Sequence, residues 1–195
     1  MRLIVVLASV CIAAALLLGV TYSLTSGRIQ LQEQQAEKAA VLCALPVAEK
    51  ISAQITDKPI PYYEGYDASG GVVGYAFTGS GKGYSSTIKI MIGVDEDMTI
   101  QGIKILSQQE TPGLGDKVDE VKSTGTLWDL LRGKKIPPAG RPWFQEQFAG
   151  KNTETVNEIT FITGATITSK AVLDIVKSTI EEFRDQLTGQ EPATG

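Results

Sequence analysis

The residues of this chain best placed to do chemistry lie in Phe161-Ile162-Thr163-Gly164-Ala165-Thr166-Ile167-Thr168-Ser169-Lys170, where several hydroxyls and one ammonium gather around a glycine. From Ser169 onward Val172, Ile175, Val176, Ile180, Phe183 and Leu187 recur at three- and four-residue spacing, which predicts one apolar stripe of a helix. Thr168 or Ser169 is its expected N-cap, because a short hydroxyl accepts a hydrogen bond from the unpaired N–H groups of a first turn. Such a turn also presents free donors and the positive end of the helix dipole, so it suits an anion such as a phosphate. Gly164 and Ala165 have almost no side chain, and a bulky group could come close to the backbone there. Ordinary helix capping accounts for the same residues, and local physics does not separate the two roles.

A second stretch, Gln109-Glu110-Thr111-Pro112-Gly113-Leu114-Gly115-Asp116-Lys117, follows a predicted strand directly. Pro112 fixes one φ while Gly113 and Gly115 permit φ above zero, so the loop is expected to be rigid and to expose its backbone. Leu114 is then an apolar side chain held where a flat ring could rest; a plain turn is the other reading. Two further motifs fall away on spacing. Gly79-Ser80-Gly81-Lys82-Gly83 lacks the pattern of a nucleotide loop, and Asp95-Glu96-Asp97-Met98 lacks the Gly and distant Glu of a calcium loop. Both are expected to be hairpin turns.

The elements that must position these residues can be read from the remaining texture. Leu3 to Leu24 is an uncharged apolar run preceded by Arg2, long enough as a helix to cross roughly 30 Å of hydrocarbon. A membrane anchor is expected, because the run exceeds a signal-peptide core and no small-x-small site closes it. With Arg2 and the amino terminus inside, the rest of the chain is expected outside the cytoplasm. Gln30 to Ile51, with Leu31, Ala36, Ala39, Val41, Leu42 and Leu45 on one face, predicts a helix leaving the membrane and broken near Pro46. Gly71 to Phe77, Thr87 to Val94 and Thr99 to Ile105 alternate as strands joined by tight turns, which implies an antiparallel meander. A helix is expected around Val118 to Leu131, then a Pro/Gly-rich connection, then a strand from Val156 to Ile162; Trp128 and Phe144 are expected in the core. The tail after Leu187 is polar and expected to be disordered.

The reading is therefore an α+β chain: an antiparallel β-sheet domain with flanking helices, preceded by one transmembrane helix. Its parts are an anchor over 1–27, a membrane-proximal helix and linker over 28–57, the main domain over 58–188 and a tail over 189–195. A net charge of −4 gives no basic footprint for nucleic acid. The absence of His removes the commonest general base and metal ligand, and no metal site or catalytic residue is assigned. Cys11 falls in the apolar run and Cys43 in Ala-Val-Leu-Cys-Ala-Leu, where it is expected to pack as a small apolar residue; no disulfide is expected.

Glu110-Thr111-Pro112-Gly113-Leu114-Gly115, followed some fifty residues later by Thr163-Gly164-Ala165-Thr166, resembles the FMN-binding domain family. That family includes the G subunit of the ion-translocating Rnf complex and the C subunit of sodium-translocating NADH:quinone reductase. The short length of 195 residues favours the Rnf type. The resemblance implies that Thr166 carries FMN covalently through a phosphoester, installed by a flavin transferase that uses FAD and magnesium. It also implies that the loop with Glu110, Thr111, Gly113, Leu114 and Gly115 borders the isoalloxazine. Thr163, Gly164, Ala165, Thr168 and Lys170 would support the phosphate. The family commonly has Asp where this chain has Thr160, and often His where it has Gln108.

The function so implied is electron transfer within a membrane-bound, ion-translocating oxidoreductase complex, the partners being its other membrane subunits and the lipid. The isolated subunit is expected to turn over no substrate. The protein would be single-pass in the inner (cytoplasmic) membrane, with its domain on the periplasmic or extracellular side. The alternative is a membrane-anchored binding or assembly subunit without covalent flavin.

Overall fold

A computed structural model of the chain describes residues 2–121 and 142–189. It divides into two compact units, Met1–Ala39 and Ala40–Gly195. The first unit consists of most of helix α1, Arg2–Ala44, which is long and apolar enough to cross a membrane. Its large apolar side chains from Leu3 to Leu24 are exposed, as lipid-facing residues are. The helix ends just before Pro46, whose ring disfavours helical backbone at the residue before it.

The second unit is built on one five-stranded sheet, ordered β1 (Lys50–Ile51), β2 (Tyr62–Tyr66), β3 (Val72–Lys82), β4 (Thr87–Val94) and β5 (Ile100–Ser107). Every pairing is antiparallel, so the meander expected from the short connections is what forms. The hairpin between β4 and β5 is the expected one: the Asp95 carboxylate accepts the N–H groups of Asp97 and Thr99. Gly79 to Lys82, by contrast, lie inside β3, and the turn is made by Gly83 to Ser86. They are strand because helix α3 (Thr166–Thr188) packs flat against them: a methyl on Gly79 or Gly81 would lie 2.5 Å from Thr179 or Ile175.

Both faces of the sheet are covered. On one, Val172, Ile175, Val176, Ile180 and Phe183 of α3 pack with Phe77, Ile88, Ile90 and Ile92, joined by Phe144 and Phe148 from around the short helix α2, Trp143–Glu146. Leu187, at the end of the predicted stripe, is partly exposed. On the other, Ala40, Val41, Ala44, Leu45 and Ala48 pack on Ala76 and Met91. Here the sheet carries glycines: a methyl at Gly93 would sit 2.3 Å from the Ala44 carbonyl oxygen, and one at Gly65 would sit 2.8 Å from Ala48 Cβ.

Three expectations are corrected. Val156 to Ile162 is not a strand: Thr155–Glu158 is a 3-10 turn. The Asn152 carboxamide oxygen accepts the N–H groups of Glu154 and Thr155 and the Thr155 hydroxyl, and this local turn chemistry overrides the β-branched composition. Cys43 and Leu42 are exposed, because the buried face of α1 here is Ala40, Val41 and Ala44. The helix expected from Val118 to Leu131 does not form over its described residues, where a 3-10 turn, Gly115–Asp119, ends at an extended Glu120. Residues 122–131 with Trp128 lie outside the described residues, and of the tail Thr188 still belongs to α3 while residues 190–195 lie outside them.

Candidate functional site

Three segments far apart in sequence meet at one end of the sheet: the Gly83–Ser86 turn, the loop from Gln108 to Gly115, and the start of α3. Glu110 joins them. Its Oε1 accepts the N–H groups of Ser85 and Ser86 at 3.1 and 3.0 Å and the Ser86 hydroxyl at 3.0 Å. Its Oε2 accepts the Tyr84 N–H at 3.1 Å and the Thr168 hydroxyl at 2.7 Å. The carboxylate is nearly inaccessible, at 5% exposure. Burial pushes its pKa up, but the bonds from Thr168, Ser86 and Ser85 outweigh this and hold it below the ordinary value of 4.5. Neighbouring bonds lace the same pieces together: the Gln109 N–H donates to Ser86 Oγ, and the Glu110 N–H donates to Gln108 Oε1.

Glycines make room for this arrangement. A methyl on Gly83 would lie 2.5 Å from Glu110 Oε1, and one on Gly115 would lie 2.8 Å from both Glu110 Cβ and Thr168 Oγ1. Gly113 and Gly164 have φ of +76° and +83°, the left-handed region that L side chains avoid. Leu114 reaches over Gly164, its Cδ2 being 3.2 Å from where a methyl there would sit. The two motifs singled out in the sequence are thus in direct contact.

The helix start departs from its expected form. It begins at Thr166, with Ala165 as N-cap and no side-chain cap bond. Thr168 is buried against Glu110, and Ser169 is buried with its hydroxyl accepting the Ile162 N–H at 3.1 Å. Both hydroxyls serve the fold rather than the cap. The first turn therefore keeps free N–H groups, since the earliest intrahelical bond runs from Ser169 to Ala165. Thr166 itself is exposed at the first helical position.

A cleft of about 360 Å³ opens between these segments, lined by Tyr84, Glu110, Thr111, Leu114, Gly115, Gly164, Ala165, Thr166, Ile167 and Thr168. Three of its walls are apolar side chains left open to solvent: Tyr84, Leu114 and Ile167 are 62%, 46% and 60% exposed. A shallower groove of about 580 Å³ shares Thr166 and Ile167 and carries Lys82, Lys170 and Asp174. Of the residues singled out in the sequence, Glu110, Thr111, Leu114, Gly115, Gly164, Ala165, Thr166 and Thr168 come together in the cleft. Lys170 faces the neighbouring groove, while Gly113 and Thr163 line neither. Thr160 is fixed through its backbone, which exchanges bonds with the Gln147 carboxamide. Sequence reasoning missed Tyr84, Ile167 and the Ser85–Ser86 donors, for a tight turn between two strands carries no sign that its N–H groups face a distant carboxylate.

Residues 83–181 match the FMN-binding domain family. The chain is 30% identical over 188 residues to the G subunit of the ion-translocating oxidoreductase complex of Methanosarcina acetivorans, covering 92% of each. It is 34% identical over 191 residues to the protein of the same name from Aliivibrio fischeri strain MJ11, covering 90% of this chain and 86% of that one. It is also 34% identical over 189 residues to the G subunit of the Na(+)-translocating ferredoxin:NAD(+) oxidoreductase complex of Acetobacterium woodii, covering 88% of this chain and 86% of that one.

Proposed function

The chain belongs to the FMN-binding domain family, and from that premise we propose that it is the flavin-carrying electron-transfer subunit of a membrane-bound, Rnf-type ion-translocating oxidoreductase complex, with FMN linked through a phosphoester to Thr166. One observation carries the choice of residue. Among the hydroxyls of 163–169, Thr168 and Ser169 are buried and engaged, Thr163 stands off the cleft, and Thr166 is exposed on its edge beside unpaired N–H groups.

The residues present fit such a group. A cleft of about 360 Å³ lies within the roughly 300–1,000 Å³ of small-molecule sites. Leu114, Tyr84 and Ile167 offer apolar surface to a flat ring, the bare backbone of Gly164 and Ala165 admits a close approach, and the first turn of α3 suits a phosphate. When bound, FMN supplies the redox chemistry, and the protein orients it and limits competing reactions. In the attachment step Thr166 gives up its hydroxyl proton, Thr166 Oγ forms a bond to the flavin phosphorus of FAD, and the AMP half departs; a magnesium-dependent flavin transferase would assist. Lys170, in the adjoining groove, and the α3 dipole would offset the phosphate charge.

The anchor (1–27) would hold the subunit in the cytoplasmic membrane with its amino terminus inside, followed by the proximal helix and linker (28–57) and the FMN-binding domain (58–188) on the outer side. Electrons would pass to and from redox centres of other membrane subunits, and the isolated chain would turn over no substrate. The test is intact mass after denaturation of full-length protein co-expressed with its flavin transferase. The expected result is one added FMN in wild type and none in Thr166→Val. Unmodified wild-type protein would leave a binding or assembly subunit without covalent flavin, and label retained in Thr166→Val would reject the assigned residue.

A further inference from the structure

Within the cleft the most unusual group is Glu110, a buried carboxylate whose donors among the described residues are all neutral. Five hydrogen bonds reach it, three from backbone N–H groups and two from hydroxyls. Among the described residues none comes from a cation. The ion pairs among the described residues, Lys104–Asp119 and Lys151–Glu158, are elsewhere, and Lys82 and Lys170 line the adjoining groove. A buried charge ordinarily keeps a partner of opposite sign, because taking it out of water is costly. Here the bare backbone of Gly83 and Gly115 leaves room for the carboxylate, and neutral dipoles of the described residues stabilise it.

We propose that Glu110 is a fixed negative charge at the floor of the cleft that lowers the reduction potential of the flavin bound there. The inference rests on the functional reading above and adds a role for one residue of that site. The physical basis is the charge balance of reduction. Uptake of two electrons with one proton leaves the isoalloxazine one unit more negative than before. A carboxylate lining the same cleft, shielded from water and without a counter-cation among the described residues, opposes that gain. The hydrogen bonds that hold Glu110 below the ordinary carboxylate pKa keep it charged at neutral pH, so the effect is present under working conditions. Glu110 acts here as a positioning and tuning residue and exchanges no electron or proton with the flavin.

The test is a spectroelectrochemical titration of the full-length, covalently loaded protein at one pH, for wild type, Glu110→Gln and Glu110→Asp. Glu110→Gln removes the charge and keeps the shape; it is expected to favour reduction by about ten-fold, a positive shift of about 30 mV for a two-electron couple. Glu110→Asp keeps the charge at the expense of packing and is expected to stay close to wild type in potential while losing stability. A wild-type potential in Glu110→Gln, or equal shifts in both variants, would overturn the proposal, since the second pattern assigns the effect to packing. If Glu110→Gln does not fold, Ser85→Lys takes its place. Ser85 is exposed and its backbone N–H already faces Glu110, so an ammonium there offsets the charge and should shift the potential the same way. An unchanged potential in that variant also rejects the idea. Wild-type protein without bound flavin would instead reject the functional reading, and this inference with it.

Discussion

Thr168 donates its hydroxyl to Glu110 Oε2 at 2.7 Å, joining residues 58 positions apart, both shielded from water. This bond pins the start of α3 to the loop after β5. Because its acceptor is ionised and buried, it belongs to the stronger class of hydrogen bonds, those contributing about 1.5–3 kcal/mol. Thr168→Val preserves shape and deletes the donor, so urea denaturation should show a loss in that range, while Thr168→Ser should recover most of it. A loss below about 0.5 kcal/mol for Thr168→Val would show that the remaining four donors suffice.

The same carboxylate makes an acid-dependent contribution to stability. Its folded-state pKa lies below the ordinary 4.5, so it stabilises the fold above 4.5, and that stabilisation is lost as pH falls through the folded value. Denaturation midpoints of wild type and Glu110→Gln, compared from neutral pH to about pH 3, should therefore converge as the pH drops. Curves that stay parallel over that range would mean that the charge of Glu110 does not stabilise the native state.

The loop glycines should respond unequally to Ala. At Gly113, with φ +76° and open space around a new methyl, only the left-handed backbone is penalised, by about 1–2 kcal/mol. At Gly115 the methyl meets Glu110 Cβ and Thr168 Oγ1 at 2.8 Å and wedges the central bond apart. Gly115→Ala is thus expected to lower the melting temperature more than Gly113→Ala and, under the attachment proposed at Thr166, to reduce the flavin carried per chain, read by intact mass. Equal effects would indicate that the loop shifts freely to admit the methyl.

What could be read in the sequence follows the range of the forces involved. Strands β3 to β5 and the buried stripe of α3 were legible because alternation and helical spacing are local records of which side faces the core. The start of α3 was not, because its capping hydroxyls are drawn away by partners invisible locally: Glu110 for Thr168 and the Ile162 N–H for Ser169. The expected strand at 156–162 failed for the opposite reason, since one Asn152 side chain outcompetes β-propensity over a few residues. The two motifs of the site stood out by composition, whereas Tyr84 and Ile167 join the cleft only through its three-dimensional shape.

The face of the sheet opposite α3 supports a further prediction. Gly93 lies in β4 directly under the end of α1, where a methyl would stand 2.3 Å from the Ala44 carbonyl oxygen and 2.5 Å from its carbon. Those neighbours are backbone, so no rotamer change relieves the overlap, and either the strand must sink or the Ala40–Ala48 segment must lift. Lifting would uncover Ala44 and Leu45, both fully buried against the sheet. Gly93→Ala is expected to cost about 2–4 kcal/mol, within the range of core overpacking and lost burial. The loss should come with faster proteolytic cleavage between Ala44 and Lys50. Gly71→Ala is the internal control, because its nearest neighbour is the Asp67 carboxylate at 3.5 Å, an ordinary contact. If Gly93→Ala unfolds at the same denaturant concentration as Gly71→Ala and resists protease equally, then the end of α1 is not seated on the sheet through this glycine.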